Sequence, residues 1–126
     1  MPVIDHSQLK TYDVPGIKHQ VVAGHEQGLK TMEVWLQTIE PGGRTPLHCH
    51  DCEEVIVAVR GSGRVTIAGE TIDFGPNSTL IFPPNVVHEI INTGKEDLFL
   101  VEALGMAPVR LKSADGTPVH RPWLAP

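Results

Sequence analysis

Four side chains in this 126-residue chain have the types and spacing to hold a metal ion: His48, His50, Glu54 and His88. On a strand, successive side chains point to opposite faces, so His48 and His50 project to one side and can converge on one ion. Cys49, between them, points away. Glu54 opens an apolar strand just beyond a short connection, where a neighbouring strand can bring its carboxylate to the same ion. His88 supplies a third imidazole from across the molecule. A lone histidine is usually a surface or core residue. An H-x-H, a following glutamate and a later histidine, all at strand positions, are seldom assembled by chance. Three imidazoles and a carboxylate suit one divalent transition metal, iron, manganese, nickel, cobalt or zinc, and the ligand types do not rank these. An octahedral ion held this way keeps two positions open. A tetrahedral zinc would be saturated unless Glu54 moved away. Open positions allow polarisation of a bound oxygen, activation of water or binding of dioxygen.

The elements that must position these side chains read as strands. Twelve glycines and eleven prolines recur between short apolar runs, which calls for many tight turns joining many short strands. Strands are expected over residues 30–40, 54–59, 64–68, 71–74, 79–82, 86–92 and 97–104. In the first, Met32, Val34 and Leu36 alternate with Glu33, Trp35 and Gln37. Gly61-Ser62-Gly63 reads as a hairpin connection, and Ala68-Gly69-Glu70 as a turn. Pro83-Pro84 separates two strands, because proline cannot donate into a central ladder. One helical turn near Asp5 to Lys10 is the only helix signal. About eight or nine strands at this spacing indicate an all-β sandwich or barrel, and a jelly roll closes antiparallel strands of this number while protecting their edges. Residues 1–126 form one domain with a core at about 30–104, and residues 1–25 and 112–126 read as peripheral arms, with a turn at Asp115-Gly116.

Composition excludes several function classes. A net charge of −5 disfavours nucleic acid, whose phosphates demand basic patches. No apolar run approaches the ~20 residues needed to span a bilayer. The N-terminus, with Asp5, lacks a signal pattern, so a cytoplasmic location and reduced thiols are expected. Cys49 and Cys52 form a C-x-x-C, but it runs into a strand instead of opening a helix, and no third cysteine completes a zinc site. Both thiols are therefore read as structural. His6, His19, His25 and His120 have no ligand-like spacing, and most of them are expected at the surface; Arg44 is expected to be solvated, with pairing to an anionic substrate as the alternative.

Two spaced motifs resemble those of the cupin family. Gly42, His48, His50, Glu54 and Gly61 satisfy the first in full; Gly75, Pro83, His88 and Asn92 satisfy the second. One departure is Asn85, which stands where the family has a glycine; asparagine is among the residues that best tolerate the positive φ expected there. The resemblance covers roughly residues 30 to 104, and two linked motifs are far more specific than either alone. It implies an antiparallel double-stranded β-helix, the jelly-roll cupin barrel. It also selects Glu54 over Glu53 as the carboxylate ligand, as does parity, since Glu54 shares its face with Ile56 and Ala58. A homodimer is a further implication, compatible with the partly apolar second face of the Met32/Val34/Leu36 strand.

For function, the resemblance implies a range of chemistry: dioxygenases, lyases, sugar-acid isomerases, decarboxylases and polyketide-cyclase-like proteins. The first expectation is a metal-dependent enzyme on a small, oxygen-rich molecule that chelates the ion, a dioxygenase before the other types, with Glu54 as ligand and catalytic base. The competing expectation is a binding or sensing module whose metal only positions a small-molecule ligand. Ile56, Ala58 and Ile90 are expected to line the pocket, from parity with the ligands; Trp35 and Gln37 are expected there too, with an oligomer contact as the alternative for Trp35.

Overall fold

The computed structural model describes residues 2–125. Its strands are β1 (Tyr12–Val14), β2 (Ile17–Ala23), β3 (Glu33–Ile39), β4 (Glu54–Arg60), β5 (Gly63–Ile67), β6 (Glu70–Phe74), β7 (Ser78–Phe82), β8 (His88–Asn92), β9 (Leu98–Leu104), β10 (Leu111–Lys112) and β11 (Pro118–Val119). Among the described residues the only helices are two short 3-10 turns, His6–Gln8 and His25–Gln27. The first is the expected N-terminal turn, capped where the Asp5 carboxylate accepts from the Ser7 N–H.

A six-stranded sheet in the order β1-β2-β3-β9-β4-β7 faces a three-stranded sheet, β6-β5-β8, and all pairings are antiparallel. Between them lies a core of Ile17, Ile39, Ile56, Ala58, Leu80, Phe82, Leu98 and Leu100 from the large sheet, and Val65 and Ile90 from the small one. Residues 42–48 run beside β8 and widen the small sheet: Gly42 N donates to Asn92 O, Thr45 N to Ile90 O, and His48 and His88 exchange both backbone bonds. The result is an antiparallel jelly-roll barrel.

Several expectations are corrected. Residues 12–23 are not a peripheral arm; they supply β1 and β2 of the main sheet, and Ile17 belongs to the core. The C-terminal segment also packs inward, where Trp123, Val109 and Leu111 form a second apolar cluster with Trp35, Cys52 and Leu104. Gly61-Ser62-Gly63 is a corner between sheets, not a hairpin, because β4 pairs with β7 and β9 while β5 pairs with β6 and β8. Gly61 has φ +88°, and a Cβ there would lie 2.6 Å from the Asp97 carbonyl oxygen, so only glycine fits the corner. In β3 the inward set is Glu33, Trp35, Gln37 and Ile39. Val34 and Leu36 face outward.

Candidate metal centre

His48 and His50 do not lie in a regular strand. Pro46 interrupts the segment, which is held by isolated bridges, His48 to His88 and Cys49 to Lys112. Alternation survives all the same. Cys49 exchanges backbone bonds with Lys112, and the two histidines on either side of it reach the barrel interior. Asn85, with φ +64°, donates its N–H to the His50 carbonyl at 2.6 Å. The asparagine at the motif's glycine position thus holds the segment that carries His48 and His50 through its backbone. Glu54 begins β4, buried, while Glu53 is exposed.

Each imidazole is oriented by a backbone carbonyl. His48 Nδ1 lies 2.6 Å from Pro46 O, His50 Nδ1 2.8 Å from Arg110 O, and His88 Nδ1 2.9 Å from Val86 O. A carbonyl only accepts, so each Nδ1 carries the proton and each Nε2 turns a lone pair inward. The three rings offer ligand atoms within 4.8 Å of one another. Glu54 Oε1 lies 3.1 Å from His88 Nε2 and 3.6 Å from His50 Nε2. All three of these atoms are buried without a hydrogen-bond partner. Acceptors crowded together in this way cost about 1–3 kcal/mol each if left unsatisfied, and a cation at their centre satisfies them together. Burial, with His88 and His50 beside it, holds the His48 pKa down to about 3, and burial also lowers that of His50. Neutral imidazole is the form that ligates. Three buried histidines here could hold a metal ion, and Glu54 adds a carboxylate beside them.

A cavity adjoins this cluster, lined by Trp35, Gln37, Ile56 and Ile90 among the expected residues, and also by Ile17, Thr45, Pro46, Glu102, Leu111, Arg121 and Trp123. Ala58 is not part of the lining. It lies deeper, fully buried in the core. His19, whose spacing gave it no role, is 0% exposed; its ring stacks on Trp123 at 3.8 Å and its Nδ1 meets Gln37 Nε2 at 3.2 Å. His25 contacts Glu33, Arg44 pairs with Glu89 at the surface, and His6 and His120 are exposed. Both cysteines are free and buried, and burial pushes the Cys52 thiol up to about 11, which leaves it unreactive. Glu102, Leu111, Arg121 and Trp123 were missed. Of these only Glu102 carried a signal, as an acid on the inward parity of an apolar strand.

A family model described as auxin binding protein matches residues 2–120. The chain belongs to the auxin-binding protein family. It is 38% identical over 125 residues to auxin-binding protein 1 of Arabidopsis thaliana, covering 91% of this chain and 60% of that protein. Auxin-binding protein 4 of Zea mays is 33% identical over 119 residues, covering 86% of this chain and 58% of that one. The chain thus spans about three-fifths of the length of these relatives. In fold, this family member resembles the polyketide cyclase RemF from Streptomyces resistomycificus, with TM-score 0.73, 19% identity and 86% and 83% of the two chains covered. An oxalate decarboxylase of Lactobacillus farciminis gives TM-score 0.77 and 23% identity over 85% of this chain and 34% of its own. An RmlC-like cupin from Shewanella frigidimarina gives 0.71 and 18%, covering 82% and 89%. The chain is a small cupin domain.

Proposed function

We propose that the protein binds a small aromatic carboxylate, the chemical class of the auxins, through one divalent metal held by His48, His50, Glu54 and His88, and releases it unchanged. The observation that carries this reading is the inward set of unpartnered acceptors, the Nε2 atoms of His50 and His88 and Oε1 of Glu54, with His88 and Glu54 on the wall of a slot that Trp35 and Trp123 also line. The bound metal would supply positive charge for a carboxylate. The indole rings and the side chains of Ile17, Ile56, Ile90 and Leu111 offer an apolar slot for a flat ring. Of the two readings open from the sequence, turnover of a chelating molecule and binding alone, the names of the relatives favour binding.

The folded cavity is only about 20 Å³, room for about one water. Entry of a ring therefore requires side chains of the C-terminal segment, Arg121 and Trp123, to move aside.

The test is calorimetric titration of metal-loaded and metal-stripped protein with indole-3-acetate and phenylacetate, followed by chromatography of the recovered probe. Saturable binding that needs the metal, with the probe recovered intact, is expected. Equal binding by stripped protein would remove the metal from the reading. Conversion of the probe or oxygen uptake would replace binding by catalysis.

A further inference from the structure

An acid lies on the wall of the slot with no partner. Glu102 is on the inner face of β9, where it stands directly opposite Trp35 of β3 on one side and Ile56 of β4 on the other. The inward positions of β9 are Leu98, Leu100, Glu102 and Leu104, so one carboxyl interrupts an otherwise apolar row. It is 3% exposed and lines the cavity. None of the hydrogen bonds or ion pairs among the described residues engages its side chain. Gln37 lies diagonally beside it on β3, also lines the cavity, and has its Oε1 buried without a donor. A carboxyl without a protein partner in this row serves no packing role, since leucine would fill the same position with no polar group to satisfy, and a donor entering the cavity would satisfy it.

We infer that Glu102 is a specificity-determining residue: the ligand carries, besides the oxygens that bind the metal, an N–H or O–H donor that bonds to the Glu102 carboxyl, with Gln37 Oε1 beside it as a second acceptor. A carboxyl group retains an accepting oxygen whether ionised or neutral, so this role does not depend on its charge. Burial, and then the neighbouring Glu54, raises its pKa well above the ordinary carboxylate value. The inference rests on the carboxylate-binding reading above and makes it narrower. A purely apolar ring satisfies the indoles but leaves Glu102 unpaired; a ring bearing a donor satisfies both.

The experiment uses the full metal-loaded chain and two matched probe pairs. Indole-3-acetate is compared with 1-benzothiophene-3-acetate, which keeps the shape and lacks the N–H. 3-Hydroxyphenylacetate is compared with phenylacetate. The unmodified protein should prefer the donor-bearing member of at least one pair by about tenfold, the worth of one buried hydrogen bond. Glu102→Leu should abolish that preference and hold the same metal per chain. Glu102→Gln, whose amide oxygen still accepts, should keep it. Binding of all four probes without preference, or a preference that persists in Glu102→Leu, overturns the inference and leaves carboxylate binding standing. If no probe binds to metal-loaded protein, the carboxylate reading itself fails and the inference falls with it.

Discussion

The site consists of histidines whose protonation is set by their neighbours. Because a backbone carbonyl takes each Nδ1–H, all three rings point a lone pair inward before any ion arrives. Metal stoichiometry should accordingly fall to a small fraction of one per chain in His48→Ala, His50→Ala or His88→Ala. It should be unchanged in His25→Ala and in the Cys49→Ser/Cys52→Ser double variant, whose sulfurs lie outside the cluster. Elemental analysis of the purified variants decides this; retention by His88→Ala would put the ion elsewhere. A second consequence belongs to His19. Its burial, reinforced by Arg121, holds its pKa down to about 3 from 6.5. Between those values the unfolded chain takes up a proton that the folded one refuses, so stability falls as the solution is acidified. This share is intact above about pH 6.5 and is lost toward about pH 3, at about 1.4 kcal/mol per pH unit. Urea titrations of the metal-free protein between pH 7 and 4.5 should show His19→Gln losing stability less steeply than the unmodified chain. An identical slope would mean that His19 takes up its proton in the folded state. At this scale the four clustered residues were legible because strand parity and motif spacing agree on them. His19 was not, since a histidine inward between Ile17 and Val21 looks like a surface residue until Trp123 arrives from the far end of the chain to stack on it.

At the scale of the elements, alternation located every strand from β3 to β9 to within a few residues, because each buries one face against the opposite sheet. It failed on β2, whose inward set mixes Ile17 with His19, and on the sheet membership of β4 and β5, which local turn chemistry does not encode. The Gly61 corner is decided by the close approach of Asp97, a contact between residues far apart in sequence. Asn85 provides a test of turn chemistry. Its φ of +64° is accessible to glycine and hostile to β-branched residues. Asn85→Gly should stay within about 0.5 kcal/mol of the unmodified stability, while Asn85→Val should cost about 1–2 kcal/mol and loosen metal retention by disturbing the Asn85–His50 backbone bond. Equal midpoints for the two variants in urea would contradict the turn's role. The C-terminal segment makes a complementary case. Trp123 is buried against His19, Trp35 and Tyr12. Trp123→Ala should cost about 3–5 kcal/mol, as removal of a buried indole does, and admit aromatic probes faster by enlarging the slot. Stopped-flow fluorescence of Trp35 in that variant measures the rate; slower entry would show that the indole guides the ligand instead of obstructing it.

At the scale of the whole barrel, no described residue covers one apolar face. The outward residues of the large sheet include Val34 and Leu36 on β3, Val101 and Ala103 on β9, Val55 and Val57 on β4, and Ile81 on β7, which is 68% exposed. They are direct neighbours across the strands: Val34 with Ala103, Leu36 with Val101, Val57 with Val101, and Val55 with both Ala103 and Ile81. Scattered exposed apolar residues need no explanation, but a contiguous row across four strands does. Such a face can meet its own copy across a two-fold axis, where the same residues of the two chains come together. The homodimer implied by the family resemblance therefore has a definite prediction attached. Sedimentation of the purified protein should give twice the 13.7 kDa chain mass, and Val57→Lys with Ile81→Lys should give the chain mass itself. Both side chains are solvent-facing in the single chain, so the substitutions should change its own stability by no more than about 0.5 kcal/mol. Metal content should not change either, since the clustered histidines and Glu54 lie inside the barrel. A monomeric unmodified protein, or a double variant that remains dimeric, would show that this face is not where two copies meet.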